Sequence, residues 1–171
     1  SLNIVGAGET SASGEKRKTP MIPGVQSCKM DGECWGGGVV PVYRGDGWVG
    51  GVTVRHIFDS GSLSSCRVRM PYWEENEWVP CEVVRFGEGD GVRGDWALVK
   101  IKSDKIPVLN ICTGVLPFFG EPVVVVGYPG SGWAMRALRA QLVWIRGGIE
   151  VLVQLTSKVN DMQGYSGGAL Y

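Results

Sequence analysis

Near its carboxyl end the chain carries a serine set between glycines, Met162-Gln163-Gly164-Tyr165-Ser166-Gly167-Gly168-Ala169-Leu170. Glycines at 164 and 167 let the backbone turn sharply and approach another segment closely. In such a turn consecutive N–H groups can converge into a concavity that holds negative charge. A hydroxyl beside an anion-binding nest is the arrangement that acyl transfer requires. A short glycine-rich match is also compatible with a plain turn between strands, so the rest of the chain must decide.

A serine hydroxyl is a weak nucleophile at neutral pH and needs a base, most often an imidazole. The chain has one histidine, His56, in Gly51-Val52-Thr53-Val54-Arg55-His56. The base in turn needs an acceptor that fixes its tautomer and stabilises the imidazolium. Asp95, in Gly94-Asp95-Trp96-Ala97-Leu98-Val99-Lys100, opens an apolar run and is the preferred candidate. Asp59 lies only three residues after His56 and is disfavoured, because one turn of chain rarely presents a carboxylate to the far side of the ring. The order His, Asp, Ser separates this chain from subtilisin-type and α/β-hydrolase orders.

These segments resemble chymotrypsin-like serine peptidases. Val52-Thr53-Val54-Arg55-His56 is similar to the strand end that delivers their histidine, and Asp95-Trp96-Ala97-Leu98-Val99-Lys100 to their Asp-x-Ala-Leu-x-Lys segment. Gly164-Tyr165-Ser166-Gly167-Gly168-Ala169-Leu170 is similar to their Gly-Asp-Ser-Gly-Gly-Pro-Leu. The short spacings between the three suit the compact peptidases of plus-strand RNA viruses, and the ending looks most like the sobemovirus and polerovirus type. The resemblance covers about residues 36 to 171. It implies an all-β fold of two antiparallel β-barrels, catalysis by His56, Asp95 and Ser166, and an oxyanion hole at the N–H groups of Gly164 and Ser166. It also places Asn160, Asp161 and Gln163 near the pocket for the residue preceding the scissile bond. An anionic Asp161 there would disfavour acidic substrate residues; alternatively it caps its own loop or faces solvent.

The expected organisation is an extended arm over residues 1–24 and a first barrel over 25–102 carrying His56 and Asp95. A linker over 103–119, bent at Pro107 and Pro117, leads to a second barrel over 120–171 carrying Ser166. The strand pattern starts at Trp35 and runs through Gly36–Tyr43, Trp48–Val54, Ser65–Met70, Trp78–Phe86 and Trp96–Ile101. It resumes with a strand and turn over Glu121–Gly130, then about 134–145 and 149–156. The loop Pro71–Glu77 is acidic and aromatic, and Trp73 or Trp78 is a candidate substrate contact. A complete second barrel of this type has strands after the nucleophile. The sequence runs only to Tyr171, so that barrel is expected to be incomplete. Residues 2–7 are a minor candidate for supplying a strand.

Seventeen Lys and Arg balance seventeen Asp and Glu, which argues against a general nucleic-acid surface. No run approaches the roughly 18 apolar residues of a membrane span, and no signal peptide is expected. Five cysteines, Cys28, Cys34, Cys66, Cys81 and Cys112, include no C-x-x-C pair. With one histidine, no metal site is expected and no cofactor is needed. The cysteines read as free thiols of a reducing compartment, with a Cys28–Cys34 bridge as the alternative. The expected partner is a polypeptide, the chain's own polyprotein precursor in the viral reading. The location is then the host cytoplasm, with a membrane tether through flanking precursor regions. Two other readings stay open: a cellular trypsin-like or HtrA-type peptidase, and a catalytically silent binding protein on the same fold.

Overall fold

The computed structural model describes residues 5–6, 19–58, 63–111, 118–129, 134–146, 150–159 and 161–171. Their regular structure is β-strand apart from one 3-10 turn, Gly91–Arg93. The first sheet contains β2 (Gly24–Lys29), β3 (Cys34–Gly38), β4 (Val40–Arg44), β5 (Val49–Thr53), β6 (Leu63–Arg69), β7 (Val79–Phe86) and β8 (Ala97–Ile101). Its order is β3-β2-β6-β7-β8-β5-β4, every pairing antiparallel. The two ends of that order are one stretch of chain interrupted only at Val39. Cys34 to Gly38 pairs with β2, and Val40 to Arg44 pairs with β5. The sheet therefore closes on itself as a barrel.

Strand periodicity fills that barrel. Val49, Gly51 and Thr53 on β5, and Ala97, Val99 and Ile101 on β8, alternate inward. Val49, Ala97, Val99 and Ile101 meet Val25, Val39, Val68, Met70 and Ile106 in one buried cluster. Pro41 sits next to a register shift in the β4–β5 pair, where a missing N–H is tolerated.

The second sheet is β1 (Val5–Gly6), β9 (Pro122–Gly127), β10 (Arg136–Arg146), β11 (Glu150–Leu155) and β12 (Ala169–Leu170), in the order β1-β12-β9-β10-β11. On β10, Leu138, Ala140 and Leu142 turn inward, and Leu138 and Ala140 meet Val123, Val125 and Tyr165. Between the sheets lies a third cluster, drawing Ile22 and Val40 from one side and Val126, Tyr128 and Ala169 from the other. Burial pushes the Tyr128 phenol well above its usual range, against the opposing pull of Arg69 and of a hydrogen bond with the Gly24 backbone. Its O–H donates to the Ile22 carbonyl at 2.5 Å, stitching β9 to the approach to β2.

Several features differ from the sequence reading. β2 was not anticipated: Val25 is its one strong β-former, and pairing on both edges, not propensity, makes it a strand. Val5–Gly6 pairs in parallel with Ala169–Leu170, so the lesser alternative, a strand from residues 2–7, holds over part of the expected arm. The four cysteines among the described residues are not free. Antiparallel register sets Cys28 opposite Cys34 and Cys66 opposite Cys81, with Cα–Cα separations of 4.0 and 5.1 Å, and both pairs are disulfides. Register is invisible in sequence spacing, and so was the second pair. Cys112, Asp59 and Asn160 lie outside the described residues. Trp73 packs against the first core, and Trp78 lies beneath the guanidinium groups of Arg67 and Arg69.

Candidate active site

β5 ends at Thr53, and the chain turns at once, with the Phe58 N–H donating to the Arg55 carbonyl at 2.8 Å. The turn leaves His56 at the surface while Val54, Ile57 and Phe58 anchor it in the core. Asp95 lies two residues before β8, immediately after the 3-10 turn, where its N–H donates to the Val92 carbonyl. β5 and β8 are neighbours in register, Thr53 opposite Ala97, so their ends bring His56 and Asp95 together.

The Asp95 carboxylate makes two contacts with His56. Oδ2 lies 2.7 Å from Nδ1, and Oδ1 accepts the backbone N–H of His56 at 2.8 Å. Two attachments fix both the ring and its carrier backbone. On the other side of the ring, Nε2 is 3.1 Å from Ser166 Oγ. With Nδ1–H donated to the carboxylate, Nε2 is the acceptor for the serine proton. The His56 side chain is 44% exposed and that of Asp95 19%, so the base is open to a substrate while its partner is sheltered.

Ser166 sits in a loop whose glycines are needed for conformation and for room. Gly164 has φ +93 and Gly167 φ +72, the left-handed region that side chains disfavour. A Cβ on Gly164 would overlap the Tyr128 carbonyl oxygen, and the Gly164 carbonyl accepts the Tyr128 N–H at 2.9 Å. Tyr165 points the opposite way from Ser166. Its ring is fully buried among Val123, Val125, Leu138 and Ala140, and its hydroxyl has no partner among the described residues. Burial raises the Tyr165 phenol above its ordinary range, against a lowering pull from Arg136. The loop also leans on the first barrel, with the Ser166 carbonyl accepting the Gly38 N–H at 2.9 Å.

The structure thus joins His56, Asp95 and Ser166 in one hydrogen-bonded chain and sets Gly164 beside them. Among the described residues, the Gly164 and Ser166 N–H groups are not given to any backbone carbonyl. Asp161 is exposed, and its Oδ1 accepts the Gln163 N–H at 3.0 Å, which is the loop-capping role. Gln163 is exposed on that same turn. Missed in the sequence were Gly37 and Gly38, which meet the nucleophile loop from the other sheet. The run Gly36-Gly37-Gly38 was a visible signal of close backbone approach. No group of histidine, cysteine or carboxylate side chains among the described residues could hold a metal ion.

The chain superimposes on a serine endoprotease from Yersinia pestis with a TM-score of 0.60, at 22% identity, covering 88% of this chain and 49% of that one. It superimposes on an M. tuberculosis protease in its active form with a TM-score of 0.59, at 20% identity, covering 88% and 64%. The fold is chymotrypsin-like. This chain spans about half and about two thirds of the lengths of these neighbours. No family model and no curated protein matches the sequence. In a chymotrypsin-like fold the two barrels face one another across the site, and here His56 and Asp95 come from one sheet and Ser166 from the other.

Proposed function

We propose that this chain is a serine endopeptidase acting through an acyl-enzyme. The observation that carries this reading is the unbroken contact chain from Asp95 through His56 to Ser166. His56 Nε2 takes the Ser166 proton as Oγ attacks the scissile carbonyl, and Asp95 stabilises the imidazolium. The N–H groups of Gly164 and Ser166 receive the oxyanion; loss of one such donor costs about 2.7–4 kcal/mol in comparable sites. His56 then returns the proton to the leaving amine, and water releases the acyl group by the same route.

A fluorophosphonate probe tests the reading. Covalent labelling at Ser166 is expected, and it should disappear in Ser166→Ala and fall by about 10⁶-fold in His56→Ala. A folded wild-type chain that takes no label would overturn it in favour of a silent binding protein.

For the biological role, the sequence ending supports processing of a viral polyprotein, with the chain's own precursor as substrate and flanking precursor regions as a membrane tether. No helix among the described residues is long and apolar enough to cross a membrane. A cellular peptidase is the second reading, favoured by the two bacterial structures of similar fold and by the two disulfides, which persist in oxidising compartments. Cleavage of a proteome-derived peptide library separates them. A few cuts at one narrow motif support processing, whereas broad cutting of unfolded chains supports the cellular role. The same library read with Asp161→Ala should give an unchanged profile if Asp161 only caps its loop.

A further inference from the structure

We infer that Thr53 is a positioning residue for Ser166, acting through the Gly38 peptide; the inference rests on the proposed peptidase reading and specifies what holds its nucleophile. Thr53 is fully buried, at the end of the strand that delivers His56. Its Oγ1 donates to the Gly38 carbonyl at 2.8 Å. The N–H of the same Gly38 donates to the Ser166 carbonyl at 2.9 Å. Thr53, Gly38 and Ser166 therefore form a relay from the base's strand, across the barrel seam, into the nucleophile's loop.

The relay has a physical need. Gly38 has to be a glycine, because a Cβ there would come within 2.9 Å of the Gly168 Cα and of Ile22 Cδ1. A Cβ on Gly37 would overlap the Ser166 carbonyl oxygen, and one on Gly167 would overlap the Gly38 oxygen. The interface is thus backbone against backbone, with the Thr53 hydroxyl set against it. Glycine is the residue whose φ and ψ are least restricted. The Gly38 carbonyl and the Val39 N–H share one peptide plane, held on one side by Thr53 Oγ1 and on the other by the Pro23 carbonyl at 3.0 Å, and the set of that plane helps aim the Gly38 N–H at Ser166. The held carbonyl restrains the peptide that follows Ser166, and so restrains the backbone that presents Oγ 3.1 Å from His56 Nε2. Small misplacements of reacting groups carry large rate penalties, so a hydrogen bond two steps from the chemistry matters. Thr53 touches neither substrate nor the reacting atoms; its effect passes through Gly38.

The test compares Thr53→Val, which keeps the shape and removes the donor, with Thr53→Ser, which restores it. Expected for Thr53→Val is about a tenfold slower maximal rate of fluorophosphonate labelling, the weight of one net hydrogen bond, with half-saturating probe concentration unchanged. Thr53→Ser should return to within about twofold of wild type. Amide hydrogen exchange at Gly38 is read in the same proteins and needs no activity. It should quicken about tenfold in Thr53→Val and not in Thr53→Ser. Wild-type rates and exchange in Thr53→Val would overturn the inference. So would equal impairment of both variants, which would make the role one of packing. If wild type takes no label, the peptidase reading fails, and the exchange data alone decide whether Thr53 holds the loop.

Discussion

The two sheets solve the same packing problem differently. The first is closed, and its interior residues Val25, Val39, Val49, Val68, Met70 and Ile101 are wholly inaccessible to solvent. The second is open among the described residues, with β11 paired only to β10. Phe118, Phe119, Trp144 and Leu152 stand exposed on it or beside it, Leu152 at 59%. The base and its carboxylate are mounted on the closed barrel, the nucleophile on the open sheet. Rigidity in the first region is intrinsic; in the second it is borrowed through the Gly38–Ser166 contact and the cluster around Ile22 and Tyr128.

The sharpest way to break this comparison is to cut into both regions alike. Ile101→Ala should destabilise by about 2–5 kcal/mol in urea unfolding, because a closed core cannot collapse around the cavity. Gly37→Ala attacks the borrowed support. It should cost about 1–3 kcal/mol through overpacking and slow labelling out of proportion to that loss, since the displaced group is the Ser166 carbonyl. If labelling survives at the wild-type rate, the open sheet holds its own serine. Tyr165→Phe removes a buried hydroxyl that has no partner among the described residues. It should leave labelling intact and raise the unfolding midpoint slightly, by at most about 1 kcal/mol, provided the ring alone anchors the loop. The smallest effect belongs to Leu152→Ala, within about 0.5 kcal/mol of wild type. A Leu152 penalty equal to that of Ile101 would erase the distinction between the regions.

The three side chains of the contact chain were legible because each carries a local signature: a sole histidine at a strand end, an aspartate opening an apolar run, and a serine between glycines. The all-β class followed from short β-rich runs and frequent turn residues. What escaped notice depends on pairing across long stretches of chain. Cys66 faces Cys81 only once β6 and β7 are in register. Gly37 and Gly38 read as strand residues, because nothing local names a partner more than a hundred positions away. Asp161 was ambiguous for a related reason: its bond to the Gln163 N–H is local, but choosing it over a pocket role requires knowing where the loop faces.

The contact between His56 and Ser166 spans 110 positions of sequence, and the chain between them includes β6 to β11. Closing so long a loop is entropically costly and is not offset until the intervening strands have paired. The reactive pair is therefore expected to form late in folding, after the strands between its two members have paired. Its chemistry is timed by topology: the serine acquires its base only once the scaffold that confines it has formed.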